Sequence, residues 1–227
     1  MKRLIFVFML SVIEILKLQQ GLYAQIRPYI QIDGSYTSIY GTFDGESSLV
    51  GGKMEFLLPE LSSGLGWGLT AGCYSSDKRW SVGFKYARST FDASHLDESL
   101  GKANYNLIEL FELTWFFPEE WQNSSRERPV IQFYITSGLE MGWITVRDAF
   151  YTSFNSGRQG DARYNWAGFP VGTGISINFA EISSIKIGMG YRLAYVMSAS
   201  EYSFDSAEFN MEDTLGAGGL FFDIGIV

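Results

Sequence analysis

The chain is poor in the residues from which most catalytic and metal sites are built. It has one histidine, His95, and one cysteine, Cys73, among 227 residues. An internal disulfide bond is therefore excluded, and a zinc site is disfavoured. The basic residues are also few, since 17 Lys and Arg stand against 25 Asp and Glu. An acidic chain argues against nucleic acid as a partner, and no phosphate loop or nucleotide fingerprint suggests a cofactor.

Long apolar runs are missing as well. Residues 4–16 form the main one, and its length of about 13 residues falls short of the ~20 that a membrane-spanning helix needs. Basic residues precede this run and Leu-Tyr-Ala ends the polar stretch after it, which is typical of a secretory signal peptide cleaved after Ala24. We expect a signal peptide at 1–24 and a single β-barrel domain at 25–227. Cleavage would remove three basic residues and one acidic residue, changing the net charge from −8 to −10.

What the chain does have is a strong alternation with a period of two. In residues 131–143, 169–179 and 185–197 the odd positions carry mostly bulky apolar side chains, and the even positions carry mostly glycine and small or polar residues. A period of two is typical of β-strands. The small, polar face suits a crowded lumen, and the bulky face suits lipid. The pattern predicts an all-β fold, a transmembrane antiparallel up-and-down β-barrel.

Turn-rich and charged stretches divide the chain into eight predicted strands. These lie near 28–43, 64–75, 79–92, 103–117, 129–150, 162–179, 183–204 and 213–227. Short and long connections alternate, and placing the long ones outside the cell puts both termini in the periplasm. The segment 49–58 is either a further strand or an extension of the first hairpin. We expect a bulge at Pro170, because a closed barrel has no free edge for a proline.

Aromatic residues lie near the predicted strand ends, where the two aromatic girdles of a membrane barrel are expected. The predicted girdle residues, with the periplasmic rim first, are Trp80, Trp115, Phe117, Trp121, Tyr105, Trp143 and Tyr195. Phe116 belongs to the same periplasmic group in this interpretation.

Charged residues on the small-residue face are predicted to meet inside the barrel. They are Asp33, Lys85, Glu112, Glu140, Lys186, Arg192 and Asp223. Because an isolated buried charge is costly, we expect ion pairs among them, with Lys85 near Glu112 and with Glu140 meeting Arg192 across the lumen. Glu109 falls on the lipid face by simple alternation, so either the register shifts there or that strand is wrongly placed.

Eight strands enclose an interior that side chains nearly fill, which disfavours a general diffusion pore. We therefore expect a non-enzymatic barrel that anchors variable outer loops and acts in envelope structure or surface interaction. Two alternatives stay open: a narrow channel through the charged lumen, and a lipid-modifying or proteolytic enzyme at the outer rim. The enzyme would use His95 with Ser94, Ser99 or Asp97. Neither a metal site nor a catalytic residue is assigned.

Four segments carry a resemblance to a known family: IQIDGSY at 30–36, WSVGFKY at 80–86, GMGYRL at 188–193 and GLFFDIGIV at 219–227. With the leader and the alternating strands, they resemble the outer-membrane β-barrel domain family. It includes small OmpX/OmpA-type barrels and the "porin family" proteins of Bacteroidota. The resemblance implies a bacterial outer-membrane location, with outer-membrane lipid and lipopolysaccharide around the barrel. It also implies recognition by the barrel-assembly machinery, and the loops would carry any surface ligand or protein partner.

Overall fold

The computed structural model describes residues 26–39, 43, 48–51, 54–75, 78–95, 98–117, 131–146, 162–179, 183–201 and 216–227. None of these residues forms a helix long and apolar enough to cross a membrane. The strands in this part of the chain are β1 (Arg27–Thr37), β2 (Ser48–Gly51), β3 (Met54–Leu57), β4 (Glu60–Tyr74), β5 (Trp80–His95), β6 (Glu98–Phe116), β7 (Ile131–Val146), β8 (Ala162–Asn178), β9 (Ser184–Glu201) and β10 (Gly219–Ile226).

Eight of these strands close into an antiparallel barrel in the order β1-β10-β9-β8-β7-β6-β5-β4. From β4 to β10, each strand pairs with the strands before and after it in the sequence. Strand β1 pairs with β4 on one side and with β10 on the other, which closes the ring. The predicted eight-stranded up-and-down barrel is confirmed. The segment at 49–58 adds no barrel strand, because β2 and β3 form a separate two-stranded hairpin.

The two ends of the barrel differ in their connections. The turn end holds the start of β1 and the connections β4–β5, β6–β7 and β8–β9; the loop end holds the other connections. At the turn end, the Ser75 amide donates to the Trp80 carbonyl at 2.9 Å, and Lys78 adopts a φ of 54°. This left-handed residue lets the chain reverse tightly between β4 and β5.

The β5–β6 hairpin is longer than the sequence predicted. A loop was expected across residues 93–102, but β5 continues to His95, β6 begins at Glu98, and the two residues pair through their backbones. The register shifts between Ala93 and Ser94, where β6 carries an extra residue, and Gly101 beside it has a φ of 91°. Glycine tolerates that conformation, so the strands can continue past the bulge.

A second bulge lies in the middle of β6. Glu109 pairs with Glu140 and Phe111 with Leu139, so Leu110 is an extra residue without a partner on β7. The bulge changes which parity faces inward: Glu112 and Phe116 face the lumen on one side of it, and Glu109 and Tyr105 on the other. The register shift anticipated at Glu109 is therefore present.

The bulge predicted at Pro170 is not there. The β7–β8 register is the same on both sides of Pro170, from Ser137↔Val171 to Glu140↔Gly168, and the two strands do not pair between those points. The ladder is therefore interrupted without an inserted residue. The register shift on the other side of β8 lies between Asn165 and Trp166.

The barrel wall has two halves of opposite polarity. The rung Trp67–Arg88–Asn106–Trp143–Asn165–Ser198 separates them, and we call them the turn half and the loop half. In the turn half the outward side chains are mainly apolar, as the sequence predicted. In the loop half the outward side chains are mainly polar, with Leu65 as an exception, and hydrogen bonds such as Arg88 to Asn104 at 2.9 Å link them across strands.

The interior of the loop half is an apolar core, which the sequence analysis did not predict. Phe91, Ile144 and Tyr164 are buried there, and Trp166 stacks on Tyr105 with ring centroids 5.0 Å apart. The connection between β1 and β2 contributes as well: the Phe43 ring meets Tyr164 edge-on at 5.1 Å, and the Leu61 amide donates to the Phe43 carbonyl at 3.1 Å. Apolar packing therefore fills the lumen at its loop end.

Candidate functional site: the charged lumen

Below the apolar core, the lumen of the turn half collects ionisable side chains from six strands. All seven predicted residues face inward, and Glu109 joins them because of the β6 bulge. Asp33, Lys85, Glu140, Lys186 and Arg192 are buried, while Glu112 and Asp223 are half-buried. The sequence did not predict Glu109 as a lumen residue. Its carboxylate on the predicted lipid face was nevertheless a sign that the alternation breaks there.

Lys85 lies at the centre of one cluster. Its Nζ lies 3.0 Å from Asp223 Oδ2 and 3.6 Å from Asp33 Oδ2. Asp33 also accepts a hydrogen bond from Gln31 Nε2 at 2.6 Å. Lys85 was expected to approach Glu112, but it extends across the lumen to β1 and β10 instead. These ion pairs link β5 to β1 and β10, the two strands that close the barrel.

Lys186 is held differently. Its Nζ lies 5.0 Å from the ring centroid of Tyr29 and 5.5 Å from those of Tyr74 and Phe116, and the residue is only 4% exposed. Cations within ~6 Å of aromatic faces are attracted by the ring quadrupoles. Within the described part of the chain no carboxylate forms an ion pair with Lys186. Three aromatic rings and one ammonium group therefore close the lumen near its turn end.

Arg192 and Glu140 meet across the lumen, higher in the barrel. Arg192 Nε donates to Glu140 Oε1, and both side chains are buried. The guanidinium also lies within 5.7 Å of the ring centroids of Tyr105, Trp166 and Phe221. This ion pair is the boundary between the charged lumen and the apolar core above it.

The two remaining carboxylates are less tightly held. Glu112 accepts a hydrogen bond from Thr114 at 3.2 Å. Glu109 is 5% exposed and packs against Gly138, where a β-carbon would collide with the Glu109 carboxylate. No base of the described residues lies within ion-pair distance of Glu109.

Glycines make room for the large lumen side chains. A β-carbon at Gly188 would lie 2.6 Å from the Tyr134 hydroxyl, and one at Gly172 would lie 3.3 Å from Phe221. Two small cavities of about 30 and 50 Å³ lie along this charged region. A water molecule occupies about 30 Å³ in the liquid, so these cavities are comparable in size with one or two water molecules.

The predicted girdle is only partly outward-facing. Trp80 and Trp115 pair across β5 and β6 near the turn end and are exposed, and Tyr195 is exposed on β9. Phe117 and Trp143 are half-buried, with the Arg163 guanidinium 4.8 Å from the Trp143 ring centroid.

Two aromatic assignments were wrong, and one girdle residue is untested. Tyr105 is buried in the lumen because the β6 bulge reverses the alternation on its side. Phe116 also faces inward, as part of the ring around Lys186. Trp121 lies outside the described residues.

The residues of the rim-enzyme alternative belong to the β5–β6 hairpin at the loop end. His95 lies at the last position of β5, and Ser94 and Ser99 are backbone partners in the same hairpin. The Ser94 hydroxyl approaches Glu60 Oε2 at 3.5 Å, and Asp97 lies outside the described residues. No group of three or more His, Cys, Asp or Glu in the described ranges is arranged to hold a metal ion.

Sequence comparison gives no relatives: no protein-family model matches the chain, and no curated protein matches it. Several solved structures have a similar fold. Neisserial surface protein A (NspA) aligns with a TM-score of 0.47 at 12% identity, covering 88% of this chain and 94% of that one. Outer membrane protein OprG from Pseudomonas aeruginosa aligns with a TM-score of 0.51 at 16% identity, covering 87% and 93%. The N-terminal β-barrel domain of Pseudomonas aeruginosa OprF aligns at 0.36 and 14%, covering 88% and 99%.

At these identities the likeness bears on architecture only, and OprG is the one of the three with a TM-score above 0.5. The alignment with OprG agrees with the closed eight-stranded antiparallel barrel that the strand pairings define. The class that fold and lumen define is a small up-and-down barrel whose interior is filled by its own side chains. The finer resemblance, to OmpX-type or Bacteroidota "porin family" barrels, stays a prediction.

Proposed function

We propose that this chain is an integral protein of the bacterial outer membrane, in which a closed, non-enzymatic barrel anchors surface loops that act in envelope structure or surface interaction. The observation that carries the proposal is the polarity of the turn half. There, apolar side chains cover the outer wall while charged side chains fill the interior.

The outer wall of the turn half supports a lipid surrounding. Ile32 on β1, Phe133 on β7 and Leu193 on β9 are each more than half exposed. Soluble monomers rarely expose continuous apolar patches larger than a few hundred Å². Hydrocarbon solvates such a wall, and a closed barrel leaves no unpaired strand edge within it. Lipid and lipopolysaccharide are the proposed surroundings, and the barrel-assembly machinery is the proposed insertion partner.

The interior supports an anchor rather than a pore. Four layers follow one another in the lumen from the turn end to the loop end. They are the three aromatic side chains around Lys186, the ion pairs of Lys85, the Arg192–Glu140 ion pair and the apolar core. Two cavities of about 30 and 50 Å³ lie along the charged part. The loops at the loop end are then the part of the molecule free to contact ligands or partner proteins.

Heat-modifiability on a detergent gel tests the membrane location. We expect the outer-membrane fraction to contain a species whose mobility changes on boiling, because a closed barrel stays folded in detergent. A soluble periplasmic protein with no shift would contradict the proposal. A mature chain lacking residues 1–24 serves as the control for export.

Two further measurements separate the anchor from its alternatives. Planar-bilayer recordings of the purified barrel should show no conductance steps, whereas regular steps would establish the narrow channel. A lipid-modifying or proteolytic phenotype that is abolished by His95→Ala would establish the rim enzyme instead. Lys102→Ala, on the outer wall of the same hairpin, is the matched control for His95→Ala.

A further inference from the structure

Two lumen carboxylates lie directly opposite each other on neighbouring strands. Glu109 on β6 pairs with Glu140 on β7, both side chains face the lumen, and they are 5% and 1% exposed. Residues directly opposite in an antiparallel ladder have β-carbons ~4.5–5.5 Å apart, and like charges there are destabilising. Two ionised carboxylates at this rung would repel each other where little water screens them.

The nearby bases neutralise only one member of this pair. Lys85 lies opposite Glu109 on the β5 side, but its ammonium group binds Asp223 and Asp33. Arg192 donates to Glu140 Oε1, and Glu140 Oε2 is buried without a hydrogen-bond partner. Among the described residues, Glu109 is left without a base and Glu140 with one unused acceptor oxygen.

Both carboxylates line the cavity of about 50 Å³. The other ionisable groups that face it from the surrounding strands are Lys85 from β5, Glu112 from β6, Arg192 from β9, Asp223 from β10 and the Tyr105 hydroxyl from β6. If all four carboxylates were ionised, their charge would exceed that of the two bases by two. Such an excess is costly in a barrel interior, so the cavity favours the uptake of positive charge.

We propose that Glu109 and Glu140 form a proton-binding site, in which the protonated Glu109 carboxyl donates a hydrogen bond to Glu140 Oε2. The shared proton removes the repulsion across the rung and satisfies the unused oxygen. It leaves Glu140 ionised for Arg192. A proton fits better than a metal ion, because Lys85 and Arg192 line the same cavity and would repel a second cation. The site goes beyond the anchor role and stands on the lumen geometry alone.

Infrared spectroscopy of the folded barrel in detergent tests the site directly. At neutral pH we expect the carbonyl stretching band of a protonated carboxylic acid, and we expect Glu109→Gln to lose it. Asp92→Asn is the control and should keep the band, because the Asp92 carboxylate is exposed on the outer wall of the loop half and does not line the cavity. A wild-type barrel without the band, or a band that persists in Glu109→Gln, would overturn the proposal.

Stability against pH gives a second, independent test. At neutral pH the unfolded chain carries both glutamates ionised, while the folded barrel holds one extra proton. The wild-type folding equilibrium constant should therefore fall as pH rises from about 5, by up to about tenfold per pH unit for as long as the folded barrel keeps the proton that the unfolded chain has lost, and it should level off once the folded barrel loses that proton too. Glu109→Gln should remove this part of the dependence. A wild-type barrel whose stability does not fall with pH would contradict a bound proton.

A cation in place of the proton would have a different signature. The infrared band would be absent, and adding NaCl or CaCl₂ would stabilise the wild-type barrel but not Glu109→Gln. That result would also overturn the proposal. The infrared band in the wild type, and its loss as pH is raised, test the site even if the variant does not fold.

Discussion

The turn half and the loop half of the barrel share the same strands but have opposite polarity. In the turn half, apolar side chains such as Ile135 face outward and charged ones such as Glu140 face inward; in the loop half, Ile144 and Val146 face inward and Thr145 faces outward. All of these lie on β7. The backbone is an alternating ladder throughout, so the change in polarity comes from the side chains and from what surrounds each half.

This difference places the boundary of the apolar surroundings on the barrel wall. Outward apolar residues give way to Arg88, Asn106 and Asn165 at the rung that separates the two halves. A membrane-spanning strand needs ~9–11 residues, and β5 to β9 have 16 to 19. The additional length forms the loop half, which has an apolar core inside and mainly polar side chains outside. The following variants test this division, beginning with the largest expected effect.

Arg192→Met should be the most damaging single change, because it leaves Glu140 buried without its cation. Removing one partner of a buried ion pair costs about 3–5 kcal/mol. Urea unfolding in detergent, followed by tryptophan fluorescence, would measure the loss. Arg88→Met, on the outer wall, is the matched control and should cost no more than about 1 kcal/mol. Equal losses for the two variants would contradict the distinct charged lumen.

A lysine on the outer wall should distinguish the halves on a single strand. Ile135→Lys lies among the outward apolar residues of β7 and should cost about 2–4 kcal/mol in a lipid bilayer. Thr145→Lys lies on the same strand and face, beyond the boundary, and should change stability by no more than about 0.5 kcal/mol. Unfolding in lipid vesicles would compare them, and similar effects would place the boundary elsewhere.

Removing one methylene should affect the core of the loop half more than the outer wall of the turn half. Ile144→Val is expected to cost about 0.5–1.5 kcal/mol, because Ile144 is fully buried and leaves a small void. Ile135→Val faces outward, where surrounding hydrocarbon fills the space, so its effect should stay below about 0.5 kcal/mol. Chemical unfolding in detergent would measure both losses of stability. A larger loss for Ile135→Val than for Ile144→Val would contradict the prediction.

The smallest effect is expected at the exposed ion pair on the outer wall of the loop half. Lys102 and Asp92 form this pair, with side chains 63% and 71% exposed. Asp92→Asn should cost between about 0 and 1 kcal/mol, because water and salt screen exposed pairs. Repeating the measurement at high salt should remove the difference from the wild type. A larger, salt-independent loss would mean that the pair is buried.

The sequence predicted the strand number and the lumen charges because both depend on a local pattern of period two. It did not predict the polarity of the loop half, although Tyr164 and Trp166 alternate with Arg163 and Asn165 there. That pattern is equally regular, but its apolar side faces the lumen. The alternation alone does not say which face is inside, since that depends on where lipid ends along the strand.

The details that the sequence missed depend on partners distant in the chain. Whether Leu110 is an extra residue is decided by the register with β7, and the positions of Tyr105 and Glu109 follow from it. Lys85 was expected near Glu112 because their strands are neighbours, but the barrel closure brings β1 and β10 within its reach. Ion pairing across a lumen requires the closed ring, which no single strand specifies.

The bulge at Leu110 also determines how β6 should tolerate changes in length. Deleting Leu110 would remove the one residue of this stretch that has no partner on β7, so Glu109 and Phe111 would become consecutive rungs of a regular ladder. Tyr105 and Leu107 would still point into the barrel, and Asn104 and Asn106 would still point out of it. Deleting a paired neighbour such as Ile108 would instead shift the register and turn the faces over on one side of the deletion.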